Sequence, residues 1–381
     1  MLALAVPVLL LAKDEFRDSR FYMLLVSSLY GVCLMLSAGS FLTLFLGLEL
    51  MSLPVYALVL LAFRSPASAE AALKYLVLSG TASATFLMGA SLVYGASGSL
   101  SLSAFHVALA AHDTLALAAV VLVVVAFFLK AAIFPFHAWA PDAYEAASVP
   151  VTAYMATIIK AAVLLAAARL FGTAAIGRPL TDLLAILPLA SIVWGNLAAM
   201  RQSSFRRMIA YSSIAHAGYL YFAFLGEGST RFQAIVFYVI AYGVMNLLAF
   251  AALPRHEDDA ARDRIENLRG LFHRSPYAAI VIGIAMLSLA GIPPFPGFIA
   301  KFLIFRNVVA AGYTTYAVLG LVGSYLGLYF YLRVIQQLFM STEAPPAATR
   351  PAAPLAIAAS GLCLAASVLL AVMPGWFIAR L

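Results

Sequence analysis

Residues 126–145 read AFFLKAAIFPFHAWAPDAYE, and residues 286–305 read MLSLAGIPPFPGFIAKFLIF. Both stretches lie in long apolar runs, and both runs are interrupted. In the first, Lys130 precedes Pro135 and Pro141. In the second, Gly291, Pro293, Pro294, Pro296 and Gly297 precede Lys301. Proline removes a backbone donor and clashes with the preceding helical turn. In lipid the freed carbonyls need new partners, so such breaks survive only against protein or a wet cavity. Interrupted helices in both halves of one chain mark inverted repeats and a transport path. Each break here has a lysine within eight residues.

Working outward, the rest of the chain is equally apolar. It is 64% hydrophobic and only 10% charged. A soluble domain of this length has too little interior to hide that surface. A membrane-spanning helix needs about 20 apolar residues, and eleven stretches qualify: 21–38, 40–63, 68–95, 114–134, 148–171, 180–198, 207–225, 232–252, 277–310, 314–338 and 353–376. The expected fold is therefore an all-α integral membrane protein with one membrane domain. Met1 to Ala12 is apolar too, but reaches only about 18 Å as a helix. With no basic region before it, this run reads as a partial helix rather than a signal peptide. Residues 101–112, SLSAFHVALAAH, suggest an interfacial turn of helix. The charged linker 254–275 suggests a short surface helix, and the Pro/Ala-rich residues 341–354 a loop.

The net charge of +7 is explained by topology. If alternate linkers face alternate sides, one side collects thirteen basic residues, among them Lys13, Arg64, Arg206, Arg207, Arg262 and Arg350. The other side collects three: Arg178, Arg231 and Arg380. The positive-inside rule assigns the rich side to the cytoplasm, which puts the C-terminus on the opposite face. Cys33 and Cys363 lie far apart with no CxxC spacing, which argues against an iron–sulfur or zinc site. No GxGxxG after a strand and no P-loop occurs, so nothing suggests a nucleotide site or a cofactor held by this chain.

Four of the five lysines, Lys74, Lys130, Lys160 and Lys301, lie inside apolar segments, while most arginines lie in linkers. Lysine changes its proton affinity readily when desolvated, whereas arginine stays charged. Lys160 and Glu49 fall near the middle of their spans, where a charge costs roughly 2.5–3.5 kcal/mol on insertion scales. A structural ion pair or a snorkelling lysine is the plain alternative. Snorkelling suits Lys74, about two turns from its helix start, but not Lys160 or Glu49. A carboxylate beside a buried lysine would let the lysine switch between charged and neutral states as the partner moves. His137 follows Lys130 by two turns, across Pro135, and His216 sits in SSIAHAGYL. Each could be a relay or merely a satisfied polar group. A metal site from His137, Asp142 and Glu145 matches no strong ligand spacing.

The stretch FLKAAIFPFHAWAPDAYEAASVPVTAYMATIIKAAV resembles the core signature of the antiporter-like subunits of respiratory complex I. That family also includes Mrp-type cation/proton antiporters and membrane-bound hydrogenase subunits. FLGLELMSLPVYALV, NLAAMRQSSFRRMIAYSSIAHAGYL, RGLFHRSPY, LSLAGIPPFPGFIAKF and GLYFYLRV, in this order, look like the subunit N branch of bacterial NADH:quinone oxidoreductase. The resemblance runs from about residue 13 to the end. It implies two inverted five-helix repeats, roughly 21–171 and 180–340, each with a broken helix. Residues 1–20 then form a partial helix and linker, and 341–381 a loop and final span.

The resemblance also implies a function and residue roles. The chain would be a proton-translocating membrane-arm subunit in a bacterial inner membrane, beside other antiporter-like subunits. NADH, FMN, iron–sulfur clusters and quinone would belong to partner subunits. The alternative is a subunit of an Mrp-type antiporter or a membrane-bound hydrogenase. Glu49 matches the carboxylate of a glutamate–lysine pair and Lys74 its lysine partner. Lys130 matches the central proton carrier, His137 and Lys160 the polar links of a central axis, and Lys301 the terminal lysine of the output half-channel. Full-length members have further helices before the point where this resemblance begins.

Overall fold

The computed structural model describes residues 1–63, 65–111, 113–172, 174, 176–256, 263–339, 349–350 and 353–380. Helices follow one another as the apolar runs dictate. They are α1 (Leu2–Glu15), α2 (Ser19–Ser37), α3 (Phe41–Phe63), α4 (Pro66–Ser97), α5 (Ser103–Ala110), α6 (Thr114–Ala131), α7 (Trp139–Ala146) and α8 (Val149–Tyr154). A π-helical turn, Met155–Ile159, joins α8 to α9 (Lys160–Phe171). The second half holds α10 (Arg178–Met200), α11 (Phe205–Phe222), α12 (Gly228–Ala251), a one-turn α13 (Leu271–Arg274), α14 (Pro276–Ala290), α15 (Pro296–Ala310), α16 (Thr314–Leu326) and α17 (Leu328–Phe339). The last span is α18 (Pro354–Val372).

Helix starts follow their caps. Asp18, Ser65, Asp113 and Ser204 each accept from a backbone N–H of the first turn, which satisfies donors a helix leaves open. The expected interfacial turn is α5. The 254–275 linker contributes a 3-10 turn, Ile265–Leu268, and α13. Arg64, Arg262 and residues 341–348 lie outside the described residues. One departure from an all-helical chain is a two-residue antiparallel pairing, β1 (Arg255–His256) with β2 (Thr349–Arg350).

Ten helical segments among the described residues are long and apolar enough to span a membrane. The eleventh apolar stretch, 277–310, is divided between α14 and α15. Two sets of five crossings result, α2 to α9 and α10 to α17. Five is odd, so the second set starts on the opposite side of the bilayer. The sets share a packing device. A Cβ on Gly31 or Gly47 would strike the facing backbone of α3 or α2, and one on Gly195 or Gly218 the facing backbone of α11 or α10. Small residues let membrane helices approach until backbones touch.

Burial sorts the helices. The spans 149–171 and 205–225 are each 94% buried, against 33% for 19–37 and 314–339. α8, α9, α11 and α12 form the inner layer, while α2, α4, α16 and α18 expose apolar side chains such as Met23, Tyr30, Leu73, Val77, Val322 and Val368. Polar groups in the inner layer are shielded from lipid, which is why charge is tolerated there.

Candidate functional site

The first break builds the first polar cluster. α6 stops because Ala132 adopts a left-handed conformation, with φ at 60°. Lys130 is therefore in the last helical turn, where a cation faces the carbonyl end of the helix dipole. Its buried ammonium donates to Ser79 Oγ at 2.6 Å and to Ser52 Oγ at 3.2 Å. Glu49 Oε1 lies 3.7 Å away and accepts from Ser83 Oγ. Thus α3 and α4 each supply one group to the lysine and one to the carboxylate site. Backbone groups at the break find side-chain partners: Trp139 Nε1 donates to Leu129 O at 3.1 Å, and the Phe134 N–H donates to Ser191 Oγ at 2.7 Å.

This geometry corrects one pairing. Glu49 faces Lys130, not Lys74. Lys74 Nζ is 2.7 Å from both Glu70 and Asp142, and its side chain is 45% exposed. It lies in the outer turns of α4, where two carboxylates are within contact and desolvation is slight. Glu49 lies midway along α3, level with the end of α6.

The second cluster surrounds Lys160, just after the π turn. Its ammonium donates to the Ser213 carbonyl at 2.8 Å and to the Ser213 hydroxyl. Ser213 Oγ is 3.5 Å from Tyr144 Oη. Tyr75 packs against Tyr56 and lies within electrostatic reach of Glu49 in the first cluster and Tyr144 in the second. On the other side, Ser212 Oγ and Tyr331 Oη are 2.5 Å apart, Tyr331 Oη is 3.1 Å from His216 Nε2, and His216 Nδ1 is 2.8 Å from Tyr238 Oη. His216 is in electrostatic reach of both Lys160 and Lys301.

The third cluster sits at the second break. Gly291, with φ at 84°, ends α14. Lys301 Nζ donates to Ala290 O at 2.9 Å, a carbonyl freed by the break, and to Ser324 Oγ at 3.1 Å. It also stands 5.0 Å from the centre of the Tyr219 ring, a cation–π separation. Each break thus places a lysine against the C-terminal end of a helix.

His137 falls elsewhere. Its Nε2 accepts from Trp194 Nε1 at 2.9 Å, and its ring packs near Phe134 and Tyr211. Pro135 turns the chain, so the two-turn spacing from Lys130 does not carry His137 back to the lysine side. His216, by contrast, bonds Tyr238 and Tyr331 within reach of Lys160 and Lys301. The signals for the serines and tyrosines were weak, because a hydroxyl in an apolar span usually bonds its own helix.

At the end of the bundle holding the 201–207 turn, Lys74, Glu70, Asp142, Glu145, Arg206 and Arg207 line a cleft of about 600 Å³. Arg207 Nη1 is 2.8 Å from Asp142 and 2.9 Å from Glu145. Burial pushes Asp142 up, but hydrogen bonds from Lys74 and Arg207 outweigh it and hold the carboxyl below its ordinary range. Arg206 and Asp263 form a buried pair at 3.0 Å, and Arg206 also donates to Ala147 O. Among the described residues no cluster of three His, Cys, Asp or Glu side chains could hold a metal ion.

Residues 38–327 match the family described as NADH:quinone oxidoreductase/Mrp antiporter, transmembrane. The chain is 44% identical, over 84% of its length and 69% of the relative, to NADH-quinone oxidoreductase subunit N of Pelobacter propionicus. A chain of respiratory complex I from Thermus thermophilus superposes with a TM-score of 0.87 at 37% identity, covering 99% of this chain and 83% of that one. A chain of an archaeal membrane-bound sulfane sulfur reductase gives 0.83 at 30% identity, covering 94% and 73%.

Proposed function

This chain belongs to the NADH-quinone oxidoreductase subunit N family, and we propose that its proton path runs through Glu49/Lys130, Lys160, His216 and Lys301. As a member it is a proton-translocating membrane-arm subunit, working beside other antiporter-like subunits. Electron transfer then takes place in partner subunits that hold NADH, FMN, iron–sulfur clusters and quinone. The two repeats, 21–171 and 180–340, each contribute one half-channel.

The observation that carries the reading is a set of three buried lysines, on α6, α9 and α15, two of them at helix breaks. Lys130 is stabilised as a cation by Glu49 and the dipole of α6. If Glu49 and Lys130 separate, the ammonium loses its counter-charge and burial favours release of its proton. That proton can pass to Lys160, and then through the His216–Tyr331 bonds toward Lys301. Each transfer alters the charge felt by the next lysine, which gives the row a direction. Lys74 belongs to the outer ion cluster of the 600 Å³ cleft, where protons reach the chain from the cytoplasm. His137 orients the break through Trp194 rather than carrying protons. The excess of basic residues supports a cytoplasmic position for the cleft in a bacterial inner membrane, with the C-terminus on the periplasmic side.

Lys130→Ala and Glu49→Ala test the path in the assembled complex. Removing Glu49 strands the buried Lys130 ammonium, at a cost of about 3–5 kcal/mol, and removing Lys130 leaves the half-buried Glu49 without its counter-charge, so assembly is checked on a native gel first. In assembled complex, NADH-driven proton pumping should fall at least about tenfold, as when a positioned proton carrier is lost. Full pumping with either change would remove the mechanism.

A further inference from the structure

An uncharged side chain braces the second break from behind. Asn196 stands on α10 and is only 2% exposed. Its Nδ2 donates to Tyr219 Oη on α11 at 3.1 Å and to the Gly323 carbonyl on α16 at 2.9 Å. A carbonyl can only accept, so the amide nitrogen must face Gly323, and its two hydrogens serve the two partners. Both partners adjoin Lys301. The ammonium lies 5.0 Å from the centre of the Tyr219 ring and donates to Ser324 Oγ at 3.1 Å. The Tyr219 hydroxyl accepts from Asn196 and keeps its own hydrogen for Ser324, which lies within its polar reach.

The backbone explains why an amide is needed there. α16 gives way to α17 at Gly327, whose N–H bonds the Ser324 carbonyl at 3.0 Å. The Gly323 carbonyl thereby loses the donor that a continuous helix supplies, and Asn196 replaces it. The approach is close. A Cβ on Gly327 would stand 2.7 Å from Asn196 Oδ1, and one on Gly323 would stand 2.9 Å from Ile192 Cγ2. Three helices, α10, α11 and α16, are therefore tied at one amide, next in sequence to the serine that holds Lys301.

We propose that Asn196 is a positioning residue for Lys301, holding the Tyr219 ring and the Ser324 hydroxyl against the ammonium. The inference rests on Lys301 carrying protons, as in the path above, and adds the group that aims it. Asn196 does not ionise and passes no proton. The bond to its hydroxyl stops Tyr219 from swinging about its side-chain torsions. The bond to Gly323 fixes the adjoining Ser324 at a set distance from α10. Without the amide, both groups lose their register with Lys301. Cation–π contacts and hydrogen bonds weaken steeply with distance and angle, and a misplacement of about 1 Å can slow a positioned transfer by roughly a hundredfold.

Variants of the whole assembled complex test this. Asn196→Leu keeps the branching of the side chain but removes its polar atoms, and Asn196→Gln keeps the amide on one more methylene. Both strain the packing, so only the amide separates them. The proposal expects Asn196→Leu to slow NADH-driven proton pumping at least about tenfold and Asn196→Gln to recover most of the rate. A purely structural asparagine would leave the two equally slow, which would overturn the proposal. Tyr219→Phe keeps the ring and loses the tie, so it should slow pumping less. Adding it to Asn196→Leu should slow pumping no further, because residues acting through one contact are not additive. Multiplying effects would overturn the proposal. If Asn196→Leu does not assemble, Gly327→Ala takes its place in the same cycle, since its Cβ would displace the amide and leave every polar group present. Wild-type pumping in Asn196→Leu, with pumping lost in Lys301→Ala, would overturn the positioning role and leave the proton path intact. Normal pumping in Lys301→Ala would overturn both.

Discussion

At the scale of residues, the chain separates two uses of lysine by depth. Lys74 is an exposed member of an ion cluster, and Lys130, Lys160 and Lys301 are buried among hydroxyls and carbonyls. Surface pairs contribute little, about 0–1 kcal/mol each, so Lys74→Ala should leave assembly nearly unchanged. Asp142 is the residue of the cleft with a distinct pH signature. Its native carboxyl is held below the ordinary value by Lys74 and Arg207 after opposing burial. A carboxyl lowered in the folded state adds stability above its unfolded value of about 3.9, and that stability is lost as pH falls through the lowered native value. Hydrogen exchange over residues 139–146 should therefore accelerate on acidification below about pH 4. Asp142→Asn should remove that part of the pH dependence. An unchanged pH profile in the variant would show that Asp142 does not hold α7 in place.

At the scale of elements, both breaks stop a helix with a left-handed residue, but by different means. Gly291 adopts φ of 84° freely, while Ala132 adopts 60° against its own Cβ. The left-handed region costs a non-glycine residue roughly 1–2 kcal/mol. Ala132→Gly should thus stabilise the α6 end by a fraction of that, read as a higher thermal midpoint of the purified complex. No gain would mean that packing around the break already offsets the strain. Gly297 has the opposite constraint. A Cβ there would fall 1.8 Å from Ser288 O, so α14 and α15 touch backbone to backbone. Gly297→Ala should push the half-helices apart and abolish assembly or pumping, and normal assembly with pumping would refute that close approach.

At the scale of the whole molecule, two sets of five crossings put the breaks on opposite sides of one polar row. Topology is testable directly. A cysteine placed after Ile378 should react with a membrane-impermeant maleimide from the periplasmic side, and one placed in the 201–204 turn only after the inner membrane is opened. The reverse pattern would invert the assigned orientation. The arginine clustering already predicts this result, because positive linkers are retained in the cytoplasm.

The sequence by itself determined that this is a helical membrane protein, where its crossings lie, where two of them break, and which lysines fall inside apolar runs. Those features are local: apolar run length, proline and glycine chemistry, and charge placed against hydrophobicity. The motif order likewise identified the family. Which groups meet was decided only by tertiary structure. Glu49 and Lys130 are 81 residues apart, and nothing along the chain chose Lys130 over Lys74 as its partner. His137 looked close to Lys130 by spacing, but the turn at Pro135 carried it toward Trp194. His216, 56 residues from Lys160 and 85 from Lys301, entered the row because α9, α11 and α15 converge. Hydrogen bonds and ion pairs act over a few ångströms, so partner choice waits until the helices have packed.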